Sequence, residues 1–258
     1  MKTRERDATS SYVASLLSLR IQGDDDRAVT DGEIVSLISE FLGAGTESTA
    51  DALEWTMANL VKHPQVQQKL RAEVVSCPSA DRIIIEEPDL SCMPYLKAVV
   101  LESLRRHPPV SFVVRHVEAD QAAKAFGVSS LLLPGSSGVT VKFLIDDIGR
   151  DPAVWSDPMA FIPERFMPGG EGEAADLTCT RDLKMMPFGA GRRICPGIAL
   201  AILYVEYFVA NMVREFEWRE VDGQEVDLAE SPGFLFTTMK HPLRGCLVPR
   251  DAEAVLVN

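Results

Sequence analysis

The feature that most constrains the fold of this chain is a helical hydrophobic repeat that continues over residues 31–61. Thr30 with Glu33 three residues later is a capping box, a local signal that starts a helix, and Pro64 after His63 marks the end of that helix. Its apolar residues recur at helical spacing: Ile34, Ile38, Leu42, Leu53 and Leu60. A helix of this length spans about 46 Å at 1.5 Å per residue, which is unusually long for a globular protein.

The rest of the pattern predicts a mainly α chain with small β elements. Further helices are predicted from Pro64 onward and over residues 94–106 and 198–216. Alternating apolar residues predict strands over residues 112–116, 131–133 and 139–145, and the C-terminal tail reads as a short hairpin. A long irregular loop is predicted over residues 151–187, and loops of that length are usually functional.

The composition excludes several broad classes of protein. With 258 residues, 46% of them hydrophobic, the chain can bury a core. Its net charge of −12 disfavours nucleic-acid binding, because it repels phosphate. Five cysteines, an odd number without close pairs, argue against a disulfide scaffold, and the lack of a CxxC pair argues against structural zinc. No apolar stretch reaches the ~20 residues that span a bilayer, so neither a membrane span nor a signal peptide is expected.

The most informative stretch covers residues 188–197 and reads FGAGRRICPG. Its spacing of Phe, Gly, Arg, Cys and Gly resembles the haem-binding loop of the cytochrome P450 family. Cys195 precedes an apolar helix, whose N-terminal dipole and free N–H groups favour a thiolate. Gly191 and Gly197 let the backbone approach a flat macrocycle. Arg193 offers a forked cation to a haem propionate, and Phe188 is expected to shield the sulfur.

This resemblance implies that the chain binds haem b, iron protoporphyrin IX, with Cys195 as the axial metal ligand. An axial thiolate pushes electron density onto the iron and favours O–O cleavage. The plainer interpretation of Cys195 taken alone is an inert buried cysteine. The resemblance extends from about residue 31 to the C-terminus and is closest to plant microsomal members. The implied fold is therefore the C-terminal half of the P450 fold, with a long oxygen-activation helix and the haem-binding loop.

Two further segments resemble the charged core of the same family. Glu102 and Arg105 are spaced i, i+3, which puts both on one helix face. Arg165, in the stretch FIPERF over residues 161–166, matches the family's second arginine-bearing loop. The resemblance implies that these three residues form a buried structural clamp, in which two guanidiniums satisfy one carboxylate. The plainer alternative is an exposed surface ion pair.

The middle of the long helix reads AGTEST over residues 44–49 and resembles the family's oxygen-activation segment. Ala44 and Gly45 are small enough to let the helix pass close over a haem face, which would explain glycines that cost ~1 kcal/mol each in a helix. The resemblance implies catalytic roles for Glu47, Ser48 and Thr49, with the acid and the alcohol relaying protons. Serine at 48 departs from the usual threonine and loses the methyl group that restricts the rotamer. The alternative is an ordinary small-residue packing seam.

Other polar residues have weaker assignments. Arg115 and His116 lie where the family often places a cationic propionate partner, so His116 is a cofactor-binding candidate. His63 and His107 precede prolines at helix ends, which favours a capping or surface role. A basic patch is expected to steer an electron-donating flavoprotein to the thiolate side, with a solvated loop as the alternative. This patch consists of Arg181, Lys184, Arg192 and Arg193.

The predicted organisation has two parts. Residues 1–29 are expected to form a truncated N-terminal helix with an acidic turn, and residues 30–258 the P450 haem-binding portion. The N-terminal half of the family domain is expected to be absent. The resemblance implies insertion of one oxygen atom from dioxygen into an apolar small molecule, with electrons from NADPH through a flavoprotein reductase. It implies an endoplasmic reticulum membrane location for full-length relatives, whose anchor this chain is expected to lack. Two alternatives stay open: a non-catalytic remnant unable to retain haem, and a cysteine hydrolase, which needs a histidine base beside Cys195.

Overall fold

The computed structural model describes residues 11–22, 26–77, 84–118, 121, 124, 138–233 and 235–250. Over these residues the chain is mainly helical with small two-stranded sheets, which confirms the predicted fold class. It divides into two compact units, Met1–Glu47 and Ser48–Asn258. The division predicted at residue 30 concerns the family domain and stays a prediction.

Helices account for most of the described secondary structure. The α-helices are α1 (Tyr12–Ser18), α2 (Asp31–Lys62), α3 (Pro64–Ser76), α4 (Pro94–Arg106), α5 (Ile145–Gly149) and α6 (Ile198–Glu215). Short 3-10 helices cover Glu87–Cys92, Pro163–Phe166 and Gly191–Arg193. The strands are β1 (Arg20–Ile21), β2 (Arg27–Ala28), β3 (Phe112–Glu118), β4 (Gly138–Leu144), β5 (Phe216–Arg219), β6 (Glu230–Pro232), β7 (Thr237–Met239) and β8 (Cys246–Pro249).

The predicted long helix is present as α2, which is 32 residues long and continuous through its glycines. Its capping box forms as expected, because Glu33 Oε2 accepts from the backbone N–H of Thr30 at 2.9 Å and Thr30 Oγ1 accepts from the N–H of Glu33 at 3.4 Å. Helix α3 begins at Pro64 and α4 runs from Pro94 to Arg106, as predicted.

The unit Met1–Glu47 contains α1, the paired strands β1 and β2 and the first half of α2. The sequence analysis missed both strands, since each is only two residues long. Arg27 donates two 2.8 Å hydrogen bonds to the Glu33 carboxylate, and Tyr12 stacks on Phe41 with ring centroids 4.9 Å apart. Within the predicted acidic turn, residues 24 and 25 lie outside the described part of the chain.

The core of the unit Ser48–Asn258 lies where the second half of α2 packs with α3, α4 and α6. Its apolar side chains come from all four helices: Leu60, Leu70, Val74, Leu96, Val99, Val209 and Val213 are each fully buried. A second cluster centres on Trp55 of α2 and joins it to Met239 of β7. None of the helices in the described part of the chain is long and apolar enough to cross a membrane.

The sheets of this unit are antiparallel pairs. Strands β3 and β4 pair from Phe112 opposite Leu144 to Glu118 opposite Gly138. The predicted strand over 139–145 ends at Leu144, because Ile145 is buried as the first residue of α5; the strand predicted over 131–133 lies outside the described residues. The predicted tail hairpin consists of the antiparallel strands β6 and β7. In sequence it lies between β5 and β8, which pair with each other.

One disulfide joins the end of α3 to the 3-10 helix before α4. Cys77 and Cys92 are 15 residues apart in sequence and their Cα atoms are 6.7 Å apart. The sequence analysis expected no disulfide scaffold and missed this single bond, because the two cysteines are 15 residues apart in sequence and no spacing motif links them. Cys179, Cys195 and Cys246 are free.

Candidate functional site

The segment over residues 188–197 folds as a closed loop that leads directly into α6. The N–H of Cys195 donates to the carbonyl of Phe188 at 2.9 Å, which closes the loop. Within it, Gly191–Arg193 forms a 3-10 turn. Gly197 then occupies the N-cap position of α6, and its carbonyl accepts the first intrahelical bond, from Ala201, at 2.8 Å.

The Cys195 thiol lies two residues before this helix start. It is half-buried and free of any disulfide. The backbone N–H of Gly197 donates to Cys195 Sγ at 3.4 Å. The sulfur therefore accepts an amide hydrogen bond beside the N-terminus of an 18-residue helix.

Two glycines set the path of the loop around the sulfur. Gly189 has φ +73° and Gly191 has φ +69°, both in the left-handed region that side chains rarely adopt. A Cβ added at Gly191 would meet nothing within 4 Å, and one at Gly197 would lie 3.8 Å from Cys195 Sγ. The backbone beside the thiol is therefore open. The sequence analysis did not single out Gly189, although the Gly-Ala-Gly spacing carried the signal.

We expect Gly191→Ala to lower the free energy of unfolding by about 1–2 kcal/mol, because the left-handed conformation strains any residue with a Cβ even where space is free. Gly43→Ala in α2 is the matched control, since its Cβ also meets nothing within 4 Å but a helix favours alanine by ~1 kcal/mol. Urea unfolding of the two variants should therefore shift the midpoint in opposite directions. A shift in the same direction would contradict the conformational explanation.

Two arginines of the loop are available to an external anion. Arg192 and Arg193 are exposed, and no hydrogen bond or ion pair involves either guanidinium among the residues that the structure describes. The Lys184 ammonium, by contrast, donates to the backbone carbonyl of Glu171 at 2.7 Å. Within the predicted basic patch, Lys184 is therefore less available to an external anion than Arg192 and Arg193 are.

The candidates on β3 lie on opposite faces of that strand. Successive residues of a strand alternate in direction, so Arg115 and His116 cannot both face one ligand. Arg115 Nη1 donates to the carbonyl of Val114 at 2.8 Å, whereas His116 is exposed. This leaves the ring of His116 accessible.

The donor set fits a haem held by a thiolate. It provides one free sulfur with an amide donor, open backbone at Gly191 and an exposed guanidinium on Arg193. Phe188 packs against the main core, so it anchors the base of the loop as well as contributing the carbonyl that closes it.

The structure brings Glu102, Arg105 and Arg165 together in a nearly solvent-free cluster. Arg105 binds both carboxylate oxygens of Glu102, with Nε and Nη2 at 2.7 and 2.8 Å. Arg165 Nε lies 3.4 Å from Glu102 Oε1, and the N–H of Ile162 donates to the same oxygen at 2.8 Å. The side chains of Glu102 and Arg105 are 0% exposed, which excludes the alternative of an exposed surface pair.

Both arginines also bind the backbone of the irregular loop. Arg105 donates to the carbonyls of Pro158 and Ala160 in this loop at 2.8 and 3.3 Å, and to the carbonyl of Gly149 at the end of α5 at 2.7 Å. Arg165 donates to the carbonyl of Asp157 at 2.8 Å and pairs with Glu171. The sequence analysis missed Glu171, since nothing in its local sequence distinguishes it from Glu173.

The candidates of the oxygen-activation segment lie on successive turns of α2. Ala44, Gly45 and Glu47 are exposed and belong to the unit Met1–Glu47. Ser48 and Thr49 are half-buried and belong to the unit that contains Cys195. All five residues are helical.

Of the capping or surface role expected for His107, the structure confirms the capping position at the end of α4 and excludes the surface position. Although His107 follows α4 as its C-cap residue, it is 1% exposed. Its ring stacks on Trp55 with centroids 3.9 Å apart and planes 3° from parallel. Nδ1 lies 3.3 Å from Asn59 Nδ2, and Nε2 lies 3.9 Å from a carboxylate oxygen of Glu230. The other candidate, His63, is the N-cap residue of α3 and makes no side-chain cap bond.

The cysteine hydrolase alternative lacks its base. All four histidines lie within the described residues, and none of them hydrogen-bonds to Cys195 Sγ, which instead accepts from a backbone amide. Nucleophilic catalysis by a cysteine requires such a base within hydrogen-bond reach.

Comparison with known proteins gives one consistent result. A family model described as cytochrome P450 matches residues 1–245. Cytochrome P450 89A9 of Arabidopsis thaliana is 46% identical over 248 residues, which are 93% of this chain and 47% of the relative. Flavonoid 3'-monooxygenase of the same plant is 35% identical over 230 residues, covering 87% of this chain and 43% of the relative. Among solved structures, a retinoic acid-bound cyanobacterial CYP120A1 matches with TM-score 0.73 at 26% identity, covering 92% of this chain and 50% of that one. The chain thus spans about half the length of the relatives it matches.

Proposed function

This chain belongs to the cytochrome P450 family, and from that premise we propose that it carries the haem-thiolate half of a monooxygenase. The observation that carries the proposal is the free, half-buried Cys195, whose sulfur accepts an amide hydrogen bond at the N-terminus of α6. In this proposal the Cys195 sulfur would hold the iron of haem b. Bound haem supplies the oxidising chemistry that inserts one oxygen atom from dioxygen into an apolar organic substrate.

The surrounding residues have separate tasks in this proposal. The exposed Arg193 guanidinium and the accessible His116 ring bind the propionates. Gly191 and Gly197 leave the backbone open on the side of the sulfur. The Gly197 amide holds negative charge on Cys195, and Phe188 fixes the loop through its carbonyl and its packing against the core.

The proposed proton delivery rests on α2. Ser48, whose hydroxyl replaces the family's usual threonine, and its neighbours Glu47 and Thr49 move protons at their side-chain oxygens. Ala44 and Gly45 leave space beside them because they are small. A serine hydroxyl is less restricted in rotamer than a threonine hydroxyl, so we expect a less regular proton supply here.

The proposed electron source is an NADPH-dependent flavoprotein reductase. Arg192 and Arg193 are exposed cations on a chain of net charge −12. Such a local reversal of sign favours an acidic partner and raises its association rate at low salt. The clamp of Glu102, Arg105 and Arg165 takes no part in the reaction and holds the irregular loop in place.

The proposal is tested by expressing the chain with a haem precursor, reducing it and adding carbon monoxide. We expect the red-shifted Soret band of a thiolate-ligated ferrous haem, and we expect Cys195→Ala to abolish it. Cys179→Ala is the matched control, since Cys179 is also free and half-buried; it should keep the band.

Two outcomes would contradict the assignment. A thiolate band that survives Cys195→Ala, or one lost only in Cys179→Ala, would remove Cys195 as the ligand. A chain that folds but retains no haem would instead support the non-catalytic remnant.

A further inference from the structure

The Cys77–Cys92 disulfide joins the end of one helix to the approach of the next. Cys77 is the C-cap residue of α3, and Cys92 is the last residue of the 3-10 helix that leads to Pro94 at the start of α4. The two cysteines differ in their surroundings, since Cys77 is 7% exposed and Cys92 is exposed. A thiolate from solution can therefore approach the bond from the side of Cys92. Exposed disulfides are reduced more readily than buried structural ones.

The surroundings of the bond also suit the reduced pair. The carbonyl oxygen of Asp89 lies 2.8 Å from Cys92 Sγ and 3.8 Å from Cys77 Sγ. A thiol is a weak hydrogen-bond donor, whereas a disulfide has no hydrogen to donate. Reduction creates two S–H groups, and the Asp89 oxygen is already in place to accept from the one on Cys92. The reduced pair therefore has a partner within the existing fold.

The two helices are held together without the disulfide as well. The Glu73 carboxylate of α3 accepts from the backbone N–H groups of Tyr95 and Leu96 in the first turn of α4, both at 2.8 Å. A helix start leaves such N–H groups without an intrahelical partner. Leu70 of α3 and Leu96 of α4 are both fully buried in the main core. Loss of the disulfide is therefore expected to leave α3 packed against α4.

The segment that the disulfide closes, residues 84–92, is short and is anchored differently. The Asn211 side chain of α6 binds the N–H and the carbonyl of Ile85, at 3.0 and 3.3 Å. The Glu86 N–H donates to the Asp89 carboxylate at 2.9 Å, and Leu90 is buried. Segments with few buried contacts open locally at a lower free energy than a helical core. A crosslink opposes such opening, because it removes entropy that the open state would gain.

We propose that the Cys77–Cys92 disulfide is a reversible redox switch that controls the local opening of residues 84–92. In the oxidised state the crosslink holds this segment closed. In the reduced state the segment depends on its contacts through Ile85 and Leu90, and it opens more often. The switch goes beyond the proposed monooxygenase function and does not depend on haem ligation by Cys195.

The reductant is a dithiol, and the exchange balances in two steps. One thiolate of the dithiol attacks Cys92 Sγ and forms a mixed disulfide, while Cys77 leaves as a thiolate and takes up a proton. The second thiol of the reductant then displaces Cys92, so that the reductant becomes a disulfide. Two electrons and two protons pass to the cysteine pair. A low-molecular-weight disulfide accepts them in the reverse direction.

The first measurement tests whether the bond is reducible in the folded chain. The chain is treated with dithiothreitol without denaturant, quenched in acid, unfolded and alkylated, and peptide mapping locates the thiols. We expect Cys77 and Cys92 to be alkylated only after reduction, and oxidised glutathione to restore the bond. Cys179 and Cys246 are free and serve as internal controls, because they should be alkylated in either state.

The second measurement tests the consequence by hydrogen exchange. We expect reduction to speed exchange of the Ile85 and Asp89 amides about tenfold or more, because the crosslink no longer opposes local opening. The amide of Val209, in the buried part of α6, should keep its rate. Cys92→Ser should exchange at the reduced rate with or without dithiothreitol. The matched control Cys246→Ser should keep the dependence on reductant, since Cys246 lies on β8 outside the switch.

Four results would overturn the proposal. The first is alkylation of Cys77 and Cys92 before reduction and again after oxidised glutathione, which would mean that no bond forms. The second is a bond that is reduced only in denaturant, which would identify a permanent structural crosslink. The third is unchanged exchange at Ile85 and Asp89 after complete reduction. The fourth is loss of protection at Val209 on reduction, which would mean global unfolding instead of local opening. None of these measurements requires haem, so their failure is distinct from a failure of the carbon monoxide test.

Discussion

Glu102→Ala is expected to lower the free energy of unfolding by about 3–5 kcal/mol, a large fraction of the stability of a domain this size. The Glu102 carboxylate accepts three hydrogen bonds and is 0% exposed. Its removal leaves Arg165 buried with Glu171 as its anion, and it leaves Arg105 buried with only backbone carbonyls as partners among the described residues. The loss then comes from unpaired buried charge, which costs more than the pair itself contributes.

The matched control is Glu217→Ala. Glu217 also binds an arginine in bidentate fashion, with Arg219 Nε and Nη2 at 2.7 Å from its two oxygens. That pair is exposed, and exposed pairs contribute about 0–1 kcal/mol. Urea unfolding measures the loss of free energy of unfolding in both variants. If Glu102→Ala lowers it by no more than Glu217→Ala does, the clamp does not stabilise the fold.

Acidification is expected to destabilise the chain through His107. Burial, reinforced by the nearby cations Arg106, Arg150 and Arg105, lowers the pKa of His107 from 6.5 to about 2. As the pH falls below 6.5, His107 takes up a proton in the unfolded state but not in the folded state. Stability therefore declines from pH 6.5 downward, by about 1.4 kcal/mol for each pH unit until the folded pKa is reached.

His107→Phe separates this effect from other titrations. Phenylalanine keeps an aromatic ring against Trp55 but carries no titrating group. Burial raises the pKa of Glu73 and of Glu206. Protonation of these two carboxyls in the folded state therefore increases the free energy of unfolding as the pH falls, which opposes the effect of His107. The informative quantity is thus the difference in urea midpoint between the chain and His107→Phe, measured from pH 7 to pH 4.5. A difference independent of pH would refute the titration of His107.

The features that could be predicted are those that depend on neighbouring residues. Thr30, Pro64 and Pro94 each act on the first turn of a helix, and the helices begin where these residues predict. The loop over residues 188–197 is likewise local, because glycines and a helix start within ten residues determine its path. The spacing of Glu102 and Arg105 is a property of one helix, so their pairing follows from sequence alone.

The features that could not be predicted depend on residues far apart in the chain. His107 is buried because Trp55, 52 positions earlier in the sequence, supplies a stacking surface. Glu171 joins the clamp through the turn after Pro163–Phe166, which no periodicity indicates. Cys77 and Cys92 form a disulfide across 15 residues of sequence, and no spacing motif indicates that pair.

The way in which Arg105 and Arg165 hold the irregular loop has an evolutionary consequence. Their guanidiniums bind main-chain oxygens of this loop at Asp157, Pro158 and Ala160, and every amino acid offers a main-chain oxygen. The shape of this loop is therefore largely independent of side-chain identity at Pro158 and Ala160. Such a segment can drift in sequence among descendants while its course through the protein is inherited unchanged.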